Sequence, residues 1–217
     1  TSFYLKHKDS TPVPTWKAGQ YVGVRLRNGE SEVQRNYSLS CYPNDDVMRL
    51  TVKKDGLASM CLHKLNEGDC VKCTMPCGHF LFSPPADEQK PVVLIGLGIG
   101  VTPILPLAEE ALRKTKNPVH VELGARSEET LALESEFTSL GKEYPNRMDF
   151  HSRIKSPNQG EAELMDFASL WPRIPSNGSY YFCGPSPWME EVSQGLKKHG
   201  VATNDIYFEF FGPTLQI

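Results

Sequence analysis

The chain has no excess of charge of one sign. Its 23 lysines and arginines meet 26 acids, for a formal net charge of -3, so the basic surplus usual in a nucleic-acid binder is missing. No apolar run is long enough to span a bilayer, and no signal-peptide pattern opens the chain. There is no internal repeat and no low-complexity tract. With 39% hydrophobic, 23% charged and 10% aromatic residues, the chain is neither disordered nor fibrous. It has no Walker loop, because no Gly-Lys-Ser/Thr follows its glycine-rich turn. The six histidines (His7, His63, His79, His120, His151 and His199) show no metal-ligand spacing, so no metal site is expected. The first residue is not methionine, and Phe3 to Leu5 reads as the inside of a strand. The chain is therefore expected to be an excised part of something longer.

Cysteine is present, at Cys41, Cys61, Cys70, Cys73, Cys77 and Cys183, but 217 residues can build cores without disulfide staples. Without an export signal, reduced thiols in a cytoplasmic setting are expected. Cys70-x-x-Cys73-x-x-x-Cys77 invites an iron–sulfur reading. Strand alternation would put Cys70 and Cys73 on opposite faces, and Cys61 is the only nearby fourth ligand, so the pattern weighs against a cluster.

The two halves read differently. Up to Phe82 the apolar runs are short and alternate: Met48, Leu50 and Val52 point one way, Arg49, Thr51 and Lys53 the other. Similar runs lie at Tyr21 to Leu26 and Tyr37 to Leu39, separated by glycine and proline turns, which is the pattern of a small antiparallel β-barrel. Ser83 to Lys90 is polar and proline-rich and reads as a linker. Beyond it Val92 to Ile95 is continuously apolar, as a parallel strand covered on both faces should be. Val119 to Leu123, Met148 to His151 and Tyr180 to Cys183 are further strands. Leu133, Phe137 and Leu140 share one helical face, and Met189, Val192 and Leu196 share another. Alternating strands and helices predict a parallel sheet with helices on both sides. Trp16, Trp171 and Trp188 read as packing residues.

Four segments carry chemistry. Gly96-Leu97-Gly98-Ile99-Gly100-Val101-Thr102-Pro103 follows the first parallel strand and opens a helix, where bare backbone and free N–H groups suit a diphosphate; it also fits a plain tight turn. Cys183-Gly184-Pro185-Ser186-Pro187 ends the last strand, with Ser186 as helix cap and Pro187 in the first helical position. That puts the Cys183 thiol at the sheet's carboxyl edge, where a flat ring can lie against it, although taken alone a buried core cysteine is the favoured reading. In Arg35-Asn36-Tyr37-Ser38, alternation sets Arg35 and Tyr37 on one face. The guanidinium suits a diphosphate, the phenol ring a flat aromatic ligand, and Ser38 a ring heteroatom; a core tyrosine beside a surface arginine fits too. Gly56-Leu57-Ala58-Ser59 opens a short helix suited to phosphate.

Taken together these segments resemble the ferredoxin–NADP reductase superfamily, most closely the reductase part of flavohaemoglobins. Arg35 to Ser40 is similar to its Arg-x-Tyr-Ser flavin motif, and Gly56 to His63 to its FAD-diphosphate helix. Pro76-Cys77-Gly78-His79-Phe80 is similar to its Pro-x-Gly-x-Phe segment. Gly98 to Pro103 resembles the nicotinamide-nucleotide loop, Cys183 to Met189 the segment beside the nicotinamide, and Phe208 to Pro213 the flavohaemoglobin tail. There are departures: Gly96-Leu97 stands where Gly-Gly usually opens the loop, and His79 where the family usually carries an acid.

The resemblance implies two domains: a six-stranded antiparallel Greek-key barrel for FAD over residues 1–86, and a Rossmann-like parallel α/β domain for NADH or NADPH over 87–217. It implies that Arg35, Lys53, Gly56 and Ser59 hold the FAD diphosphate side, with Tyr37 and Ser38 at the flavin ring. Gly98, Gly100, Thr102, Gly184 and Pro185 would line the nicotinamide nucleotide, and Arg126 would serve it too. Arg126 with Ser127, or Ser152, Arg153 and Lys155, are candidates for a 2′-phosphate, and either nicotinamide is expected to be accepted. Cys183 and Glu209 would lie near the hydride path, and Phe211 over the flavin. The implied acceptor is a haem, in a globin domain of the parent chain, as in nitric oxide dioxygenase. Alternatives are the reductase module of a nitrate reductase or oxygenase, and a non-catalytic nucleotide-binding domain. Neither nucleic acid nor membrane is an expected partner.

Overall fold

The computed structural model describes residues 1–29, 31–44, 46–155 and 165–210. In the N-terminal half, β1 (Ser2–Leu5) pairs antiparallel with β4 (Met48–Thr51). A second antiparallel sheet has β2 (Tyr21–Asn28) between β3 (Ser31–Ser38) and the short β5 (Lys72–Cys73). An isolated Leu39–Leu50 bridge joins the two sheets, and a Tyr21–Cys77 bridge prolongs β2. Val22, Val24, Leu26, Leu39 and Leu50 fill the space between. The alternating runs thus form the expected antiparallel β-domain, because each strand has one face to bury. The short helix α1 (Leu57–Leu62) closes it with Ala58, Cys61 and Leu62.

Arg49 was expected to point outward, yet all of Met48–Thr51 is buried. Its Nε donates to the carbonyl of Ser40 at 3.0 Å, Nη2 donates to the same oxygen, and Nη1 meets Glu136 Oε1 at 2.8 Å. A side chain that reads as solvent-facing instead pins the β-domain to the following half.

That half holds a five-stranded, all-parallel sheet in the order β10-β9-β6-β7-β8. The strands are β6 (Val92–Leu97), β7 (Val119–Ala125), β8 (Met148–Ile154), β9 (Ser179–Cys183) and β10 (Ile206–Phe208). One face packs on α2 (Val101–Lys114) and α3 (Glu134–Glu143). The other packs on α4 (Phe167–Leu170) and α5 (Ser186–Lys198). Val92, Leu94, Val121 and Tyr181 belong to the first core, and Val93, Ile95, Tyr180 and Phe182 to the second. Both faces are apolar across the central β6 and β9, which is why those two strands read as unbroken hydrophobic runs.

Ser83, at the start of the polar proline-rich stretch, exchanges hydrogen bonds with the Tyr181 hydroxyl at 3.0 and 3.1 Å. Further along, Asn117 donates to the carbonyls of Asp87 and Lys90. Trp16 and Trp188 are buried, as expected of packing residues. Among the described residues no helix is long and apolar enough to cross a membrane.

Candidate functional site

Strand order places the site. β6 runs on through α2 to β7 on one side, while β9 pairs with β6 on the other. The connections therefore diverge between β6 and β9, and a parallel sheet opens a crevice at the carboxyl end of such a switch point. The residues at those two strand ends are Leu97-Gly98 and Cys183-Gly184.

The two turns touch backbone to backbone. A Cβ built on Gly100 would lie 2.0 Å from the carbonyl oxygen of Cys183 and 2.8 Å from the nitrogen of Gly184, so no side chain fits there. Gly98 takes φ +60°, a left-handed conformation that costs glycine little. A 3₁₀ turn, Gly98–Gly100, then feeds α2, and Thr102 Oγ1 donates to the Ile99 carbonyl at 2.9 Å. Gly96 is buried as a strand residue and tucks against Val101. The departure from Gly-Gly thus leaves the tight turn intact.

At the second turn, Pro185 rather than Ser186 is the N-cap of α5, and no side chain caps the helix. The expected Ser186 cap is therefore wrong: Ser186 already lies inside the helix, with Pro187 second. An uncapped start leaves the first backbone N–H groups of α5 without a side-chain cap.

Cys183 is fully buried, and its Sγ donates to the Glu209 carbonyl at 3.4 Å. Burial, and then the nearby Glu209 charge, push this thiol well above its ordinary range, so it is a neutral, soft wall and not a nucleophile. The Glu209 carboxyl, just past β10, is pushed up to about 7 by burial. Its Oε2 is buried without a hydrogen-bond partner among the described residues. From the β-domain, Gly78 faces it: a Cβ there would sit 3.4 Å from Glu209 Oε1 and 3.0 Å from the Tyr21 ring. The Tyr21 hydroxyl is raised, first by its hydrogen bond to Cys77 and then by burial, with the Cys77 and Glu209 charges adding. Glu209 therefore joins Cys183 of the parallel sheet to Tyr21, Cys77 and Gly78 of the β-domain.

On the β-domain, Arg35 is exposed and donates to the Gln34 carbonyl, while Tyr37 is half-buried. Burial raises the Tyr37 hydroxyl; Arg35 opposes that rise and Cys61 of α1 adds to it. These three groups thus lie near one another. Ser38 is 4% exposed and its Oγ has no partner among the described residues. Lys53 pairs with Asp55 at 3.6 Å. The Ser59 hydroxyl accepts from the Asp55 N–H and shares its proton between the carbonyls of Asp55 and Gly56. Its side chain is occupied in shaping the turn ahead of α1.

Arg126 is exposed just past β7. Ser127 is taken up in a capping box with Thr130, and Arg153 Nε lies 3.5 Å from Glu122 Oε2. Phe211 lies outside the described residues. Cys70 precedes β5, so strand alternation does not separate it from Cys73; Cys70, Cys73 and Cys77 are exposed free thiols. The sequence reading missed Tyr21 and gave Gly78 no role, although Gly78 lies inside a quoted segment.

Burying a hydroxyl or carboxylate oxygen without a partner is costly, and such an orphan in a cleft calls for a bound group. Ser38 and Glu209 carry such oxygens, and they suit a polar heteroaromatic ring. Fold and site together define a two-domain flavin- and nicotinamide-binding oxidoreductase.

Similarity to known proteins agrees in both halves. Residues 1–82 match the oxidoreductase FAD-binding domain family, and residues 94–194 the oxidoreductase NAD-binding domain family. The flavohaemoprotein of Rhodopirellula baltica is 34% identical over 98% of this chain, and the chain spans only 57% of that relative's length. Among solved structures, the flavohaem-like FAD/NAD-binding domain of a nitric oxide dioxygenase from Vibrio cholerae superposes with a TM-score of 0.80. It is 28% identical, over 98% of this chain and 92% of that one. A cytochrome P450 reductase from Amycolatopsis gives 0.81 at 27% identity, over 98% of this chain and 65% of that one. The chain belongs to the ferredoxin–NADP reductase superfamily, alongside the reductase regions of flavohaemoproteins.

Proposed function

We propose that the chain moves a hydride from NADH or NADPH to FAD and hands the electrons singly to a haem, in a globin domain of a longer parent protein. The convergence at Glu209 carries this reading, because it brings the β-domain and the sheet's switch point to one place. When bound, FAD would supply the redox chemistry: it would take one hydride, two electrons with a proton, from reduced nicotinamide and give the two electrons up one at a time. The residues supply position and electrostatics. Arg35, with Lys53, Gly56 and the Ser59 turn, holds the diphosphate of the flavin nucleotide. Tyr37 lies against the flavin ring, and Ser38 gives its unused hydroxyl to a ring heteroatom. Gly98, Gly100 and Thr102 admit the nicotinamide-nucleotide phosphates, while Gly184 and Pro185 shape the floor. Cys183 walls the nicotinamide without charge. Glu209 holds a proton near neutral pH beside the hydride path.

We divide the chain at residues 86 and 87, and Arg126 serves the adenylate side of either nicotinamide. The parent activity we assign is nitric oxide dioxygenation in the cytoplasm. The relatives named flavohaemoprotein support it, as does the unmatched 43% of the first relative's length, left beyond the 57% that is covered. The similarity to a P450 reductase favours a second reading, in which the same module feeds an oxygenase. Turnover of the FAD-loaded chain with ferricyanide tests the module itself. Two ferricyanides are expected to be reduced per NADH or NADPH consumed. An FAD-loaded chain that oxidises neither nicotinamide overturns the proposal. A ferric globin and a ferric P450 offered as acceptors distinguish the two parents.

A further inference from the structure

The sheet face that carries Val93 and Ile95 changes character towards β8. His120 and Glu122 of β7 stand in register with Val93 and Ile95, and Asp149 and His151 of β8 stand opposite them. All four side chains share one face, where neighbouring strands place apolar residues. Glu122 is 1% exposed and His120 6%. Burying a carboxylate costs several kcal/mol unless it is well paired. Yet among the described residues neither Glu122 oxygen, nor His120 Nε2, has a hydrogen-bond partner. Arg153 and Arg173 bring Nε to 3.5 and 3.6 Å from Glu122 Oε2, which balances charge without closing a hydrogen bond. Oε1 instead faces His120 Nε2 at 3.4 Å.

Two donors on one tetrahedral zinc, each at about 2.0–2.1 Å, stand roughly 3.4 Å apart. Asp149 completes the geometry from behind. One of its oxygens lies 3.1 Å from His120 Nδ1 and the other 2.9 Å from His151 Nε2. A carboxylate that takes one ring N–H fixes the tautomer and frees the lone pair of the other nitrogen for a metal. One ligand atom each from His120, Glu122 and His151 lies within 4.8 Å of the others.

We propose that His120, Glu122 and His151 bind one divalent cation of the zinc class. Asp149 positions both imidazoles, and the two arginines hold the second Glu122 oxygen. Two imidazoles and a carboxylate suit a borderline cation rather than calcium or magnesium. The His151 side chain is 48% exposed and gives the ion a way in, and three protein donors leave a position for water. The arginine charges oppose a dication, so binding is expected to be weaker than in a closed structural zinc site. Histidine spacing along the sequence hides this site, because its ligands come from two strands brought together by register.

The exposed Cys70, Cys73 and Cys77 would also take zinc, so the test uses the FAD-loaded chain with these three changed to serine. Zinc is titrated against a chromophoric chelator, and Co2+ absorption reports the ligand field. One equivalent is expected to bind. His151→Ala and Glu122→Gln are each expected to weaken it about 30-fold, and Asp149→Asn about tenfold. His151→Ala, at an exposed position, is expected to leave the flavin band unchanged. No bound zinc in the serine background, or equal affinity in His151→Ala, overturns the proposal. If the serine chain loses its flavin, alkylating the wild-type thiols provides the same background.

Discussion

Glu209→Gln should stabilise the flavin-free chain, and do so more strongly as pH rises. Burial raises the Glu209 carboxyl from its ordinary 4.5 to about 7. Below pH 4.5 it is protonated in folded and unfolded chains alike and costs nothing. Between 4.5 and 7 the unfolded chain ionises while the folded chain keeps its proton, so stability falls with rising pH. Above 7 both forms ionise, and the loss levels off near about 3 kcal/mol. Between pH 5.5 and 8 the penalty grows by about 2 kcal/mol. Glutamine keeps the shape and never ionises, so the gain of Glu209→Gln over wild type should widen by that amount. Cys183 and Tyr21 do not mask the effect, since both are raised and stay neutral over this range. Urea unfolding at the two pH values reads the difference directly. Equal gains at pH 5.5 and 8 would refute the argument that Glu209 is a buried, unpaired carboxyl.

Three further outcomes follow from the same geometry. Gly100→Ala puts a Cβ 2.0 Å from the Cys183 carbonyl and should part the two turns. NADH affinity, followed by fluorescence titration, is expected to fall at least about tenfold while FAD stays bound, a loss on the order of 1.4 kcal/mol. Ser38→Ala removes an unpartnered buried hydroxyl, so the flavin-free chain should be as stable or slightly more so. FAD affinity should drop by about 1–2 kcal/mol, as measured by rebinding to the stripped chain. Arg49→Ala breaks the link from Ser40 to Glu136 and should cost about 2–3 kcal/mol in urea unfolding. Glu136→Gln, which keeps the Ser40 bonds, should cost less.

Much of the architecture was legible because burial leaves a period. Val92 to Ile95 and Tyr180 to Cys183 have helices on both sides, so they read as unbroken apolar runs and were found as β6 and β9. Phe137 with Leu140, and Met189 with Val192 and Leu196, gave the inner faces of α3 and α5. The glycines of the nucleotide turn were visible because no side chain fits at Gly100. Three-dimensional accidents were not legible. Arg49 alternates like a surface residue, and only the fold shows that its partner Glu136 waits in the other half. Strand β10 is three residues long, too short for a pattern to declare itself. His120, Glu122 and His151 look unrelated in sequence because only the pairing of β7 with β8 brings them together. The Tyr21 and Gly78 contacts with Glu209 likewise depend on how the two halves meet.

The most direct measurement is anaerobic addition of NADH to the FAD-loaded chain, following the yellow flavin band. Bleaching at a rate that saturates with NADH is the predicted result, with Gly100→Ala bleaching far more slowly at the same concentration. A band that persists under excess NADH and NADPH, with FAD still bound, would contradict a shared cleft between the two halves.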